Sequence, residues 1–173
     1  KSPSTPSRRQ FLKSSLFASG AVFAGPQIVR AETLGNDNKA GANSRIGMGF
    51  IGMGMQMGKL ISKFLQYPEI EVVAVCDVYA MRREMYKAKV DEHYAKNGGT
   101  GKPCAAVNDF REITERTDID AVCIATPDHW HAIITLAALR AGKDVYCEKP
   151  LTHNIHEAVE VMRAVDANQR VLQ

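Results

Sequence analysis

The sequence predicts an α/β fold, a doubly wound parallel sheet with helices on both faces. Two observations predict it. From residue 45 onward, short apolar runs alternate with helix-length amphipathic stretches, in repeated strand–helix–strand units. Two of those runs, 70–76 (IEVVAVC) and 120–125 (DAVCIA), are almost continuously apolar. That is the pattern of strands covered on both faces, as in a parallel sheet.

Taken in order, residues 45–51 form the first strand. Met57, Leu60, Ile61, Phe64 and Leu65 then recur at the spacing of one helix face. Residues 70–76 are the second strand, and a charged helix over 79–96 stops at Asn97-Gly98-Gly99. A short strand at 105–107 and a helix at 110–116 precede the strand at 120–125. A helix at 133–141 ends at Gly142, and residues 144–147 form the next strand. Asn154 caps a last helix, with Glu157 placed for a capping box. Residues 170–173 read as a strand just beginning.

The first 44 residues differ in kind. Lys1, Arg8, Arg9, Lys13 and Arg30 fall within residues 1–31, a stretch with no acid, so the formal net charge of +3 belongs to this leader. The remainder is close to neutral and offers no electrostatic footprint for nucleic acid. Paired arginines followed by Phe11-Leu12-Lys13, a short apolar run diluted by Ser, Gly and Pro26, and Ala31 at a cleavage position together predict a twin-arginine (Tat) signal peptide over 1–31. The run is too short and too diluted for a stable membrane span. Export to the periplasm or cell envelope is the expectation. Residues 32–44 read as a polar linker, and residues 45–173 as the folded domain. Cys76, Cys104, Cys123 and Cys147 show no metal-ligand spacing. A protein that folds in the cytosol before export cannot depend on disulfides, so free thiols are expected.

Gly52-Met53-Gly54 lies where the first strand gives way to the first helix, with Met55 opening that helix. A dinucleotide pyrophosphate rests at such a place, on free helix amides and the positive end of the helix dipole. This is the Rossmann-type arrangement of the doubly wound sheet. Gly47, Gly49 and Gly52 also spell GxGxxG, but they sit inside the strand and are a decoy. The third glycine of the fingerprint would fall at Met57, with Gly58 one residue late. Asp77, at the end of the second strand, is placed to accept from the adenosine ribose hydroxyls and favours NAD. Arg82 and Arg83 just beyond could accommodate a phosphate, so NADP stays open. His129 and His131 form an HxH pair without a third ligand, and no metal is expected.

The stretches ATPDHWHA at 125–132 and AGKDVYCEKPLT at 141–152 closely resemble the Gfo/Idh/MocA oxidoreductases, whose hallmark is Glu-Lys-Pro after the fifth strand. The resemblance runs from about residue 45 to residue 173. It implies that Lys149 is catalytic, contacting the substrate hydroxyl beside the nicotinamide. It implies that Glu148 reaches the nicotinamide ribose, and that Thr126, Pro127 and His131 line the cofactor edge. A lysine partly withdrawn from water beside a cofactor suits acid–base work.

The activity implied is NAD(P)-linked oxidation or reduction of a sugar or related polyol. An exported NAD-dependent glycosidase of the same superfamily is the alternative, and so is a binding module without catalysis. In the glycosidase branch the lysine is expected to be replaced, so Lys149 points to an oxidoreductase. The resemblance also implies a C-terminal substrate domain beyond residue 173, through which the protein forms a homo-oligomer.

Overall fold

The computed structural model describes residues 41, 44–97 and 102–173. The leader, most of the linker and the Gly98-Gly99 helix stop lie outside the described residues. The chain alternates strand and helix throughout: β1 (Ile46–Ile51), α1 (Met55–Phe64), β2 (Ile70–Cys76), α2 (Ala80–Asn97), β3 (Ala105–Val107), α3 (Phe110–Thr114), β4 (Ala121–Ile124), α4 (His131–Arg140), β5 (Asp144–Cys147) and α5 (Ile155–Asn168). A single 3-10 turn, Asp128–Trp130, leads into α4.

All pairings are parallel, in the order β3-β2-β1-β4-β5. Leu172 forms a lone parallel bridge with Val145, so the tail begins a sixth strand beside β5. The strand order reverses between β1 and β4, the point where ligands bind in sheets of this kind. The doubly wound prediction holds.

Alternation along the strands divides the core in two. Met48, Phe50, Val72, Val75 and Cys123 pack with Met57 and Ile61 of α1 and with Tyr86 and Val90 of α2. Ile51, Ala74, Val122 and Ile124 pack on the other face with Ile113 of α3, Leu139 of α4 and Val161 of α5. Successive side chains of a strand point to opposite faces, which is why two helical layers can share one sheet.

The glycines of the decoy motif belong to this packing. A Cβ on Gly47 would strike the Asp118 carbonyl oxygen, and one on Gly49 would lie 2.5 Å from Ile113 Cγ2. They are glycine because the loop before β4 and helix α3 press directly on β1. Lys143 is structural as well, since its buried Nζ donates to the carbonyls of Arg116 (2.6 Å) and Ile119 (2.7 Å).

Helix ends differ from expectation in instructive ways. Asn154 does cap α5, its side chain accepting from Glu157 N–H. The Glu157 carboxylate, however, accepts from His153 N–H at 2.8 Å, one residue before the cap. The reciprocal capping box forms instead at α3, between Asp109 and Glu112. That helix stops at Thr114, two residues before its expected end.

All four cysteines are free, with Cys76, Cys104 and Cys123 buried. Burial pushes those three thiols up to about 12, with the neighbouring Asp77 charge adding to the effect on Cys76. An unfolded thiol loses its proton near 9. Across the window from 9 to 12 the unfolded state therefore binds fewer protons, and stability falls as pH rises. At pH near 8 iodoacetamide should modify these three thiols at least about tenfold more slowly in native protein than in urea. Equal rates in the two conditions, followed by mass spectrometry, would contradict their burial.

Candidate functional site

Strand β1 ends against β4. Gly52 has φ +90°, and a Cβ there would lie 2.7–2.8 Å from Ala125 and Thr126 backbone atoms. Only glycine both adopts that conformation cheaply and lets the two strand ends come so close. Gly54 follows as the N-cap of α1 in extended backbone, with nothing within 4 Å of where a Cβ would be. No side chain caps the helix start and no acid occupies its first turn. The α1 amides thus face open space, as an incoming phosphate requires. Met55, whose side chain is 93% exposed, joins the site through its backbone.

Asp77 is 8% exposed at the end of β2. One carboxylate oxygen accepts from Met53 N–H at 2.7 Å, the other from Tyr79 N–H at 2.8 Å. The carboxylate therefore shapes the glycine loop itself. Asp77 also lines the adjoining cleft, and a carboxylate oxygen that accepts one hydrogen bond retains capacity for a second.

That cleft, about 440 Å³, is lined by Gly52, Asp77, Tyr79, Arg82, Thr126 and Pro127, with Phe110 and Trp130 at its far wall. The paired arginines separate. Arg82 stacks on the Tyr79 ring (4.9 Å) and faces the cleft, whereas Arg83 Nη1 donates to the carbonyls of Asp77 (3.1 Å) and Val78 (3.4 Å). Arg82 is thus the one placed to meet a 2′-phosphate. The Thr126 hydroxyl is buried without a hydrogen-bond partner among the described residues, an orphan donor at the cleft.

Beyond the glycine loop lie the residues following β5. Glu148 Oε1 accepts from Gln56 Nε2 at 2.8 Å, which ties the end of β5 to the first turn of α1. Lys149 is exposed. The described residues do not supply the partial withdrawal from water expected for it. Any such withdrawal has to come from a bound ligand or from further chain.

His131, expected along the cofactor edge, is 2% exposed. Its ring nitrogens lie against the carbonyls of Pro150 (2.7 Å) and Thr126 (2.9 Å), because the ring is turned into the joint between two loops. Gly58 likewise turns from the phosphate site toward α2, where a Cβ would lie 2.6 Å from the Tyr86 hydroxyl. That hydroxyl donates to Gly54 O at 3.4 Å. The third-glycine position, Met57, is buried in the core.

His129 and His153 both approach Asp128, at 3.7 and 3.2 Å, and His153 holds the Asp128 carboxyl below its usual range. Among the described residues no group of three or more His, Cys, Asp or Glu side chains could hold a metal ion. No described helix is long and apolar enough to cross a membrane.

Sequence reasoning missed Gln56, Tyr86 and the stacked Tyr79 because helix periodicity marks an aromatic or amide only as a face residue. Gln56 meets Glu148 across 92 positions and Tyr86 meets Gly54 across 32, whereas Tyr79 stacks with nearby Arg82.

An open, uncapped helix start behind a crowded Gly52, an acid at the second strand end and an orphan hydroxyl across the crevice define a dinucleotide-binding domain. The comparisons agree. The chain belongs to the oxidoreductase family designated GFO_IDH_MocA, whose model, described as an NAD-binding Rossmann fold, matches residues 46–173. It is 32% identical over 169 residues to a glycosyl hydrolase family 109 protein of Solibacter usitatus, covering 95% of this chain and 37% of that one. It is 30% identical to an alpha-N-acetylgalactosaminidase of Shewanella oneidensis, covering 94% and 38%. Among solved structures it is similar to a 3-ketoreductase from Actinomadura kijaniata in complex with NADP and TDP-benzene. That likeness has a TM-score of 0.61 at 27% identity and covers 74% of this chain and 36% of that one. The chain thus spans little more than a third of the relatives it matches.

Two glycines separate packing from binding. Gly47→Ala should lose roughly 1–3 kcal/mol of stability, since backbone has to move. Gly54→Ala should change stability by less than about 1 kcal/mol yet weaken NAD binding at least about tenfold, because its Cβ would enter the open cradle. Denaturant melts and NAD titrations of the full-length protein check both, and unimpaired NAD binding by Gly54→Ala would remove the cradle.

Proposed function

We propose that this chain is the dinucleotide-binding part of an enzyme that transfers hydride between NAD(H), or NADP(H), and a CH–OH carbon of a sugar or related polyol. The observation that supports the reading is that its groups follow strand ends along one edge of the sheet. The α1 amides, the Asp77 carboxylate, the Thr126 hydroxyl and the Glu148-Lys149 segment all follow carboxyl ends of neighbouring strands.

The nicotinamide of a bound dinucleotide would supply the hydride acceptor or donor. In this reading the amides after Gly54 bind the pyrophosphate and Asp77 accepts from the adenosine ribose. Glu148, steadied by Gln56, accepts from the nicotinamide ribose. Thr126 and Pro127 wall the cofactor edge. Lys149 Nζ exchanges the proton of the substrate hydroxyl as its carbon gains or loses hydride. Substrate contacts, further acid–base groups and the contacts of a homo-oligomer belong to a second domain.

A second reading has its own support in the relatives named as glycosidases. There the same hydride chemistry is transient and the net reaction is cleavage of a glycoside. In the full-length protein, Lys149→Met should lower turnover by about a hundredfold or more while NADH affinity holds. Sugars and polyols followed by nicotinamide absorbance, beside hydrolysis of an α-N-acetylgalactosaminide, separate the two readings. Hydrolysis without net absorbance change selects the glycosidase, and undiminished turnover in the variant removes Lys149 from the reaction.

The reading extends to the leader. The Arg8-Arg9 signal pattern supports export of a folded domain already holding its dinucleotide. Retention outside the cytosol, where free cofactor is scarce, then requires a very small dissociation constant. Full-length protein prepared from the periplasm should keep nicotinamide nucleotide through extensive dialysis. Recovery of a stable apoprotein that works only with added cofactor is the contrary result.

A further inference from the structure

The loop after β4, which lines the cleft, and the loop after β5 are both fastened to one buried side chain. His131, 2% exposed at the start of α4, presents Nδ1 to the Pro150 carbonyl at 2.7 Å and Nε2 to the Thr126 carbonyl at 2.9 Å. A backbone carbonyl can only accept. A neutral imidazole carries one N–H, and only the ring with both N–H groups donates twice. Pro150 directly follows Lys149, and Thr126 carries the orphan hydroxyl at the cleft.

We infer that His131 is a positioning residue for the reaction, a strut that sets Lys149 against the cofactor edge by donating from both ring nitrogens to the two loops. The purpose assigned to the strut rests on the role proposed above for Lys149, whereas its geometry does not. With both protons present the ring holds Thr126 and Pro150 together. With one proton lost, a nitrogen lone pair faces a carbonyl oxygen, and one loop is released. Binding at the crevice and the ring's proton count are thereby linked.

The ionisable side chains on the segments that meet at the ring are Asp128 and His129 before α4, and Glu148, Lys149 and His153 after β5. None of them bonds the ring. Helix α5, packed against α4, adds His156, Glu157 and Glu160, and α3 adds Arg111 and Glu112. The Asp128–His153 contact at 3.2 Å is a second tie between the same two loops, and it too weakens when its histidine becomes neutral. A test must therefore separate the two histidines.

Nitrogen-15 NMR of histidine-labelled full-length protein reads the ring directly. Both His131 nitrogens should give N–H signals at the acid end of the range from about pH 5 to about pH 8, where histidine ordinarily titrates. Hydrogen–deuterium exchange reads the loops. Corrected for intrinsic rates, protection of residues 125–127 and 148–152 should fall together as pH rises, by roughly tenfold for a charge-assisted bond lost. His153→Gln should keep this response and His131→Asn should abolish it. A His131 ring with one N–H and one lone-pair nitrogen throughout that pH range overturns the inference without any variant. So does a loop response that persists unchanged in His131→Asn. Normal turnover of Lys149→Met, with both ring signals present, removes the catalytic reading and leaves the strut standing.

Discussion

The ends of β1 and β4 meet at Gly52, where the virtual side-chain position overlaps Ala125 and Thr126. Everything at the crevice is arranged around that approach. Parallel strands place all their carboxyl ends on one edge of the sheet, and the reversal of order between β1 and β4 leaves a gap there for a ligand. A larger residue at 52 would push the glycine loop away from Thr126 and open the crevice. The positive φ of Gly52 sits between the end of β1 and the start of α1.

Around this contact, polar groups are divided by function. Carboxylates at strand and loop ends mostly serve backbone amides: Asp77 holds Met53 and Tyr79, Asp120 holds Gly47, and Asp109 caps α3. Buried amides left unpaired would cost stability, so such acids are occupied before any ligand arrives. At the crevice, the α1 amides have no capping side chain and the buried Thr126 hydroxyl has no partner among the described residues. Long aromatic and guanidinium side chains wall the cleft without being consumed by it. Arg82 and Arg111 each rest on a neighbouring ring, at 4.9 and 4.7 Å, and Arg111 also pairs with Asp109 at 3.0 Å.

Family membership and site geometry agree on dinucleotide binding and say less about net reaction. The relatives include proteins named for glycoside cleavage and one named for ketone reduction. A crevice that binds the dinucleotide at strand ends is common ground for both chemistries. What distinguishes them has to act on the substrate, and the exposed Lys149 is the residue proposed to touch it.

Much of this was legible in the sequence because it depends on local regularities. Apolar runs and helical spacing specified the elements and their alternation, since burial has a period of two in strands and about 3.6 in helices. Strand, turn and helix in order separated Gly52 and Gly54 from the decoy at Gly47 and Gly49. What pressed on the decoy glycines, Asp118 and Ile113, lies some 60–70 positions away. Element ends were less legible, because a cap is a competition among nearby hydrogen bonds, as Glu157 shows by accepting from the His153 amide and the Asn154 side chain rather than from the Asn154 amide. Sequence also could not say which of two adjacent arginines faces the cleft, or that His131 turns its ring into a joint between loops. Those outcomes depend on contacts between segments that only folding brings together. A side chain's type is written in the sequence, but which partner it reaches is decided by the tertiary fold, through distances that no spacing along the chain encodes.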